Sequence, residues 1–233
     1  MKHLIFFLAL FISVGLEAQT NDAFVQNNAT ALNVAAQGNI RSQGSSAYFV
    51  NPPREIEGSV HLFDNWNNRA VIYTVDNQQY LMKNINLNLQ RHTFESKIAQ
   101  DTLFTFNFNN IDKFVVNNKV YRNYYWDDDN RVYEVIYDGK DYQVIKGFKL
   151  EIIEGSANPM LNRRSDKYAK KETYYIRKEG KIKPFRLSKG RIMKLFKSDE
   201  EKSKELLQFV RENKLSFKKE YDIRRLLEFS DSI

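Results

Sequence analysis

The chain has 233 residues, a formal net charge of +7, 42% hydrophobic residues, 14% aromatic residues and no cysteine. That length suits one domain with a short appendage, and the apolar content is sufficient for a hydrophobic core. The absence of cysteine excludes disulfides, thiolate nucleophiles and cysteine-based metal sites.

Residues 1–18 have the layout of a secretory signal peptide. A short positive region (1–3) precedes an apolar core (4–14), and a cleavage position follows Ala18. The core is too short for a comfortable membrane span, so we expect no transmembrane segment after signal removal. The sequence therefore predicts a periplasmic or secreted protein. The lack of disulfides fits a bacterial envelope protein, and the layout looks like that of small secreted proteins from Gram-negative bacteria.

Three further segments follow the signal. Residues 19–55 are rich in Asn, Ala, Gln, Gly and Ser, which predicts a flexible leader because little apolar surface is available for burial. Residues 56–187 carry strand patterns and form the predicted β domain. Residues 188–233 form the predicted basic helical segment.

Strict alternation of apolar and polar residues identifies the strands. In residues 84–90 aliphatic side chains alternate with amides. In residues 103–108 phenylalanine occupies every second position, at 104, 106 and 108. Successive strand side chains point to opposite faces, so each segment offers one apolar face and one largely polar face. Hairpin tips are predicted near residues 76, 117, 138 and 179, where Asp, Asn or Gly recurs.

The expected fold is mainly β with C-terminal α. Its sheet would contain about eight to ten antiparallel strands, arranged as a meander or as a partly closed barrel. Phe104, Phe106 and Phe108 have two interpretations. They are core residues, or they line the interior of a barrel that holds a ligand.

The two tryptophans are candidates for surface contact. Trp66 lies among amides, where it would contact a sugar or a protein partner, or cover the end of the core. Trp126 precedes three aspartates whose spacing lacks the alternating ligands of a calcium loop, so an acidic hairpin tip is favoured.

From Ser188 the apolar spacing becomes helical. Apolar residues at i, i+3 and i+4 predict three short amphipathic helices packed on the sheet, with N-caps at Ser188, Ser198 and Ser216. Within 163–233, Lys and Arg outnumber Asp and Glu by 22 to 12. A solvated helical surface or contact with an anionic envelope surface explains this excess. The contact residues would be Lys189, Arg191, Lys194 and Lys197.

No motif in the chain specifies a chemistry. We find no nucleophile elbow, zinc helix or phosphate loop, and after signal removal only His61 and His92 remain, which are too few for a histidine-rich metal site. We therefore expect no catalytic residues, metal or cofactor. The basic tail lacks an aromatic platform, which argues against nucleic acid.

The sequence leaves three functions open. The first is a non-enzymatic envelope or secreted interaction module, with an envelope protein as a possible class of partner. The second is a small-molecule or lipid carrier that uses a barrel interior. The third is association with an anionic envelope surface through the basic helices.

Overall fold

The computed structural model describes residues 44–48, 56–155, 165–197 and 199–233. The predicted signal peptide (1–18) and most of the predicted leader (19–55) lie outside these residues. The described strands form two antiparallel sheets. The strands are β1 (Gly44–Tyr48), β2 (Arg69–Thr74), β3 (Gln79–Lys83), β4 (Ile85–Asn88), β5 (Thr93–Ala99), β6 (Thr102–Phe106), β7 (Ile111–Val116), β8 (Lys119–Trp126), β9 (Asp129–Asp138), β10 (Gln143–Ile153), β11 (Lys167–Lys178) and β12 (Lys181–Pro184).

The smaller sheet has the strand order β1-β6-β5-β4, and the larger has the order β12-β11-β10-β9-β8-β7-β2-β3. Together with the C-terminal helices, this architecture confirms the predicted fold class. The larger sheet does not close into a barrel, because β12 and β3 remain at its opposite edges. The face that a barrel would enclose is instead covered by the smaller sheet and the helices. β1 lies within the predicted leader and pairs with β6.

Several hairpin tips contain residues in the left-handed region. Asn77, Asn117, Asn118 and Gly180 have φ between 50° and 75° in the turns after β2, β7 and β11. Asn and Gly adopt such angles at low cost, which confirms the predicted tips. Gly139 follows β9 but is not in this region, contrary to the expectation from its Asp-Gly pair.

The larger sheet packs one half of a face against the smaller sheet. Ile85, Leu87 and Phe94 of the smaller sheet pack with Ile72 and Phe114 of the larger one. Phe94 stacks on Phe114 with ring centroids 4.2 Å apart. Burial of such side chains contributes about 25 cal/mol per Å² and is the main force holding the two sheets together.

Three helices cover the other half of this face. They are α1 (Lys189–Met193), which a 3-10 turn (Lys194–Phe196) continues, α2 (Glu200–Glu212) and α3 (Glu220–Ser230). Their buried side chains pack on Ile136 of β9 and Val144 of β10, which confirms the predicted packing. These side chains are Ile192, Phe196, Leu206, Val210, Ile223, Leu226 and Leu227.

The helix starts differ from the predicted serine caps. The Asp199 side chain accepts a hydrogen bond from the Lys202 N–H and caps α2, one residue after Ser198, which lies outside the described residues. Ser188 precedes α1 without a side-chain cap bond, and α3 begins after Lys219. A carboxylate at an N-cap also interacts favourably with the helix dipole, which explains the preference for aspartate.

β4 is buried on both faces, although its amide face was predicted to be polar and half-exposed. Asn86 and Asn88 are 1% and 2% exposed. Asn86 accepts a hydrogen bond from the Phe63 N–H and donates one to the Phe63 carbonyl. The segment 57–68 therefore covers this face, and the amides satisfy its backbone groups.

Candidate functional site

Two neighbouring strands of the larger sheet separate part-way along their length. Residues 133–138 of β9 pair with 143–147 of β10. Beyond these residues, β10 continues to Ile153 beside β11, while the start of β9 pairs with β8. The facing edges, 129–132 of β9 and 148–153 of β10, have no strand partner among the described residues. This divergence is termed the fork.

A cleft of about 380 Å³ occupies the fork. On β10 the lining runs through consecutive residues, from Gly147 to Leu150. Because alternate strand residues point to opposite faces, this fork cleft passes through the layer of the sheet instead of lying on one face. Its volume falls within the range of about 300–1,000 Å³ typical of ligand sites. The lining residues are Leu89, Gln90, His92, Arg131, Val132, Tyr133, Gly147, Phe148, Lys149, Leu150, Ile152, Tyr168, Thr173 and Tyr175.

Gly147 shapes the fork cleft where the two strands part. A Cβ atom at this position would lie 2.9 Å from Cε2 of Tyr175 and 3.0 Å from Cε1 of Tyr133. The two rings meet edge to face with centroids 5.7 Å apart. The glycine therefore allows both rings to close over the backbone, where they offer aromatic surface to the cleft.

Ion pairs hold the charged side chains around the rim. Arg131 Nε donates to Asp129 Oδ2 over 2.7 Å, and Lys149 Nζ lies 3.1 Å from Glu151 Oε1. Lys171 contacts the same Glu151 carboxylate. Hydrogen bonds from Lys171 and Lys149 hold the pKa of Glu151 below its usual value. These five side chains carry one net positive charge.

His92 lines the fork cleft from the β4–β5 turn. Its backbone is left-handed, with φ of 51°, and its Nδ1 is buried without a hydrogen-bond partner among the described residues. Burial, assisted by the charge of Arg131, lowers the pKa of His92 below its ordinary value of 6.5. The neutral ring therefore lines the cleft with one buried nitrogen that has no hydrogen-bond partner.

A second polar group lies between the segment 57–68 and the smaller sheet. Ser59 Oγ is 3.2 Å from His61 Nδ1, and His61 Nε2 is 2.8 Å from Glu95 Oε2. Glu95 is fully buried and also accepts hydrogen bonds from Asn88 and Arg91. In a neutral ring with the proton on Nε2, Nε2 donates to the carboxylate and Nδ1 accepts from the Ser59 hydroxyl. This is the order of groups in a Ser-His-Glu triad.

A third polar group joins α3 to the sheet. Lys146 and Glu134 are 3% and 2% exposed, and Lys146 Nζ lies 3.0 Å from Glu134 and 2.8 Å from Glu220. Tyr174 donates to Glu220 over 2.6 Å. Burial disfavours the charge of Lys146, but hydrogen bonds and attraction from Glu220 and Glu134 outweigh it and raise the pKa of Lys146. This group is internal and serves packing.

The structure places Phe104, Phe106 and Phe108 in the core. Phe106 is 6% exposed, and its ring centroid lies 5.4 Å from that of Phe114. The Phe108 ring lies 5.6 Å from the same partner. Phe104 and Phe108 are partly buried and pack against the same core cluster, and none of the three lines the fork cleft.

The predicted surface-contact residues lie in three separate places. Trp66 packs edge-on against His61 with ring centroids 4.7 Å apart. Trp126 is 36% exposed at the tip of the β8–β9 hairpin. None of the predicted contact residues lines the fork cleft. The four basic residues are exposed along α1, its 3-10 turn and the residue after it: Lys189, Arg191, Lys194 and Lys197.

No motif marks the fork cleft in the sequence. The nearest signal is Gly147, an isolated glycine in a long strand pattern, which indicates a bulge or a close approach to the backbone. Tyr133 and Tyr175 look like ordinary strand aromatics until the two strands are brought together. The buried pair of Lys146 and Glu134 shows only as charges at inward positions of neighbouring strands.

Comparisons with known protein families, curated proteins and solved structures found no match to this chain. Among the described residues, no helix is long and apolar enough to cross a membrane. The described part of the chain also contains no group of three or more His, Asp and Glu side chains arranged to hold a metal ion.

Proposed function

We propose that this protein is an exported, non-enzymatic binding module and that the fork cleft is its binding site. The divergence of β9 and β10 carries the proposal, because it leaves a ligand-sized gap through the sheet. Tyrosine rings give the gap contact area, and His92 and the rim charges provide polar groups that orient a ligand. The open sheet offers no barrel interior, so a carrier function would also have to use this gap.

Two expectations from the sequence support the cellular setting of the proposal. Residues 1–18 favour export to the periplasm or the medium. The exposed basic residues of α1 favour a weaker contact with an anionic envelope surface. If that contact forms, moderate salt releases the protein from vesicles containing phosphatidylglycerol, since exposed charges are screened within about 8 Å at physiological ionic strength. Binding that is indifferent to salt would exclude it.

Native mass spectrometry of the mature protein, recovered from its own host, tests the binding proposal. Thr173 is exposed and lines the fork cleft, so Thr173→Trp should block the cleft without disturbing the core. Lys178→Trp, at an exposed position on the same strand outside the lining, is the matched control. We expect a bound mass with the wild type and the control that is lost with Thr173→Trp. A bound mass retained by all three would place the site elsewhere.

The Ser59–His61–Glu95 geometry favours ester hydrolysis as a second candidate function. Ser59 is partly exposed, and Gly58 before it has a positive φ of 97°, which turns the chain sharply at this point. Ser59 Oγ would attack the ester carbonyl while His61 Nδ1 takes the hydroxyl proton and passes it to the leaving alkoxide. Water would then hydrolyse the acyl-serine and restore both groups.

Labelling with a fluorophosphonate probe, together with turnover of p-nitrophenyl acetate, tests this second candidate. Ser59→Ala should abolish both signals, while Ser232→Ala, which removes an exposed hydroxyl, should change neither. Labelling of Ser59 in the wild type would show that the protein is an esterase and would overturn the non-enzymatic proposal. Absence of label and turnover in the wild type would restrict Ser59, His61 and Glu95 to packing.

A further inference from the structure

We infer that the ligand of the fork cleft is an extended peptide segment of another protein that lies beside β10 as an added strand. This inference deepens the proposed binding function and rests on it.

The free edge of β10 provides the first argument. β10 pairs with β11 along its whole length, to Ile153↔Lys167, whereas its pairing with β9 ends at Gly147↔Tyr133. In an antiparallel strand, the N–H and C=O groups point alternately to the two edges. Those of residues 148–153 that face the fork have no strand partner in the described chain. An extended peptide supplies complementary groups at the same spacing.

The position of the cleft within the sheet provides the second argument. The lining contains Phe148 and Leu150, whose side chains point to one face of β10, and Lys149, whose side chain points to the other. A ligand resting on one face would touch only one of these sets. The occupant therefore lies in the layer of the sheet, at the place of a neighbouring strand, about 4.8 Å from β10.

The two faces of the gap specify the side chains of the peptide. Val132, Phe148 and Leu150 make one wall apolar, and these residues continue the core between the two sheets. The opposite wall carries tyrosines and the rim charges, which leave one net positive charge. A peptide in which apolar residues alternate with acidic ones complements both walls at once.

Two adjacent isoleucines on β10 allow a matched test. Ile152 is 52% exposed and lines the fork cleft, whereas Ile153 is 43% exposed and does not. Ile152 has the same strand parity as Phe148 and Leu150, so a lysine there places a charge on the apolar wall, against the apolar side chains of the peptide and away from its acidic ones. Since both side chains are largely exposed, neither Ile152→Lys nor Ile153→Lys should prevent folding.

The probe is a phage-displayed library of linear heptapeptides, selected on the mature full-length protein. Enriched peptides are then synthesised, and their affinity is measured by fluorescence anisotropy against the wild type and both lysine variants. We expect alternating apolar and acidic sequences. Ile152→Lys should weaken binding about tenfold or more, because the charge lies against the apolar side chains of the peptide, while Ile153→Lys should leave it within about threefold.

N-methylation of the synthetic peptides tests whether they pair as a strand. Methyl groups on alternate backbone nitrogens remove donors from one edge of the peptide only. We expect one set of methylated positions to lose about tenfold or more in affinity and the intervening set to be tolerated. Equal tolerance at all positions, with sensitivity to Ile152→Lys retained, would overturn strand addition and leave the binding function intact.

Three other outcomes would also overturn the inference. A bound small molecule that Thr173→Trp removes, without any enriched peptide, would make the cleft a small-ligand site. Self-association that Ile152→Lys abolishes would identify a second copy of this chain as the occupant. If neither peptide nor bound mass responds to Ile152→Lys or Thr173→Trp, then both the peptide inference and the proposed binding function are wrong.

Discussion

The two ends of the β9–β10 pair have opposite environments. At the helix end, Lys146 and Glu134 face inward, and α3 supplies Glu220 as a second acceptor for Lys146. At the fork end, the facing edges have no strand partner among the described residues, and exposed side chains such as Ile152 lie beside a cleft. The same two strands thus contribute stability where a third element completes their bonding. At the fork end no third element covers the facing edges, and the backbone groups there have no strand partner in the described chain.

The largest effect on stability is expected from removing the buried lysine at the helix end of the β9–β10 pair. Lys146→Met removes the buried cation from two carboxylates and leaves Glu134 with only the half-exposed Lys119 and Glu220 with the Tyr174 hydroxyl. We expect a loss of up to about 3–5 kcal/mol in the free energy of unfolding, because removing one partner of a buried ion pair is costly and Lys119 offsets only part of the loss. Urea unfolding followed by circular dichroism measures this loss.

Lys149→Met is the control for that experiment. Lys149 lies on the same strand, but its side chain is 73% exposed and pairs with Glu151 at the surface. Such pairs contribute about 0–1 kcal/mol, so the control should unfold almost like the wild type. Equal losses for Lys146→Met and Lys149→Met would show that burial of the ion pair does not distinguish the two ends.

A smaller effect is expected at the junction between the ends. Gly147→Ala places a methyl group within about 3 Å of the Tyr133 and Tyr175 rings, which must move apart. Overpacking of this kind costs about 1–3 kcal/mol. Gly190→Ala is the contrasting control, since no atom lies within 4 Å of its Cβ position in α1, and alanine there should stabilise by up to about 1 kcal/mol. If the two variants changed the free energy of unfolding in the same direction, the close approach of the rings to Gly147 would be refuted.

Hydrogen exchange compares the two ends without a mutation. Amides of residues 143–147 lie between two strands, whereas those of 148–153 that point to the fork have no strand acceptor in the described chain. We expect the latter to exchange about tenfold faster or more, and to become protected when a selected peptide binds. Uniform protection along β10 in the free protein would contradict an open fork.

The parts of the fold that could be predicted from the sequence are those that a local residue pattern specifies. Strict alternation in 84–90 and helical spacing after Ser188 predict elements that the structure contains, because periodicity fixes which face is buried. The burial of Asn86 was not predictable in this way. It depends on the segment 57–68 folding back over β4, and a local pattern does not report what covers a polar face.

The candidate site follows from the sequence much less. Tyr133, Gly147 and Tyr175 are far apart in the chain, and they meet only because β9, β10 and β11 are neighbours and β9 then turns away. A fork is a property of strand register over a long range, and no residue type is required at the point of divergence. The sequence left Phe106 open as a core residue or a ligand-lining residue, because alternation shows which face is apolar but not what covers that face.

The smallest effect is expected from the pH dependence of His92 at the fork. Its pKa in the folded chain is lowered by burial and by Arg131, so below about pH 6.5 the unfolded chain binds more protons. This contribution to stability is complete above pH 6.5 and is lost as the pH falls toward the folded pKa. His92→Asn, which tolerates the left-handed backbone, should remove it. The wild type minus variant difference in unfolding free energy should shrink between pH 7.5 and 5, by less than about 1 kcal/mol because the ring is partly exposed. A difference independent of pH would show that His92 is not desolvated at the fork cleft.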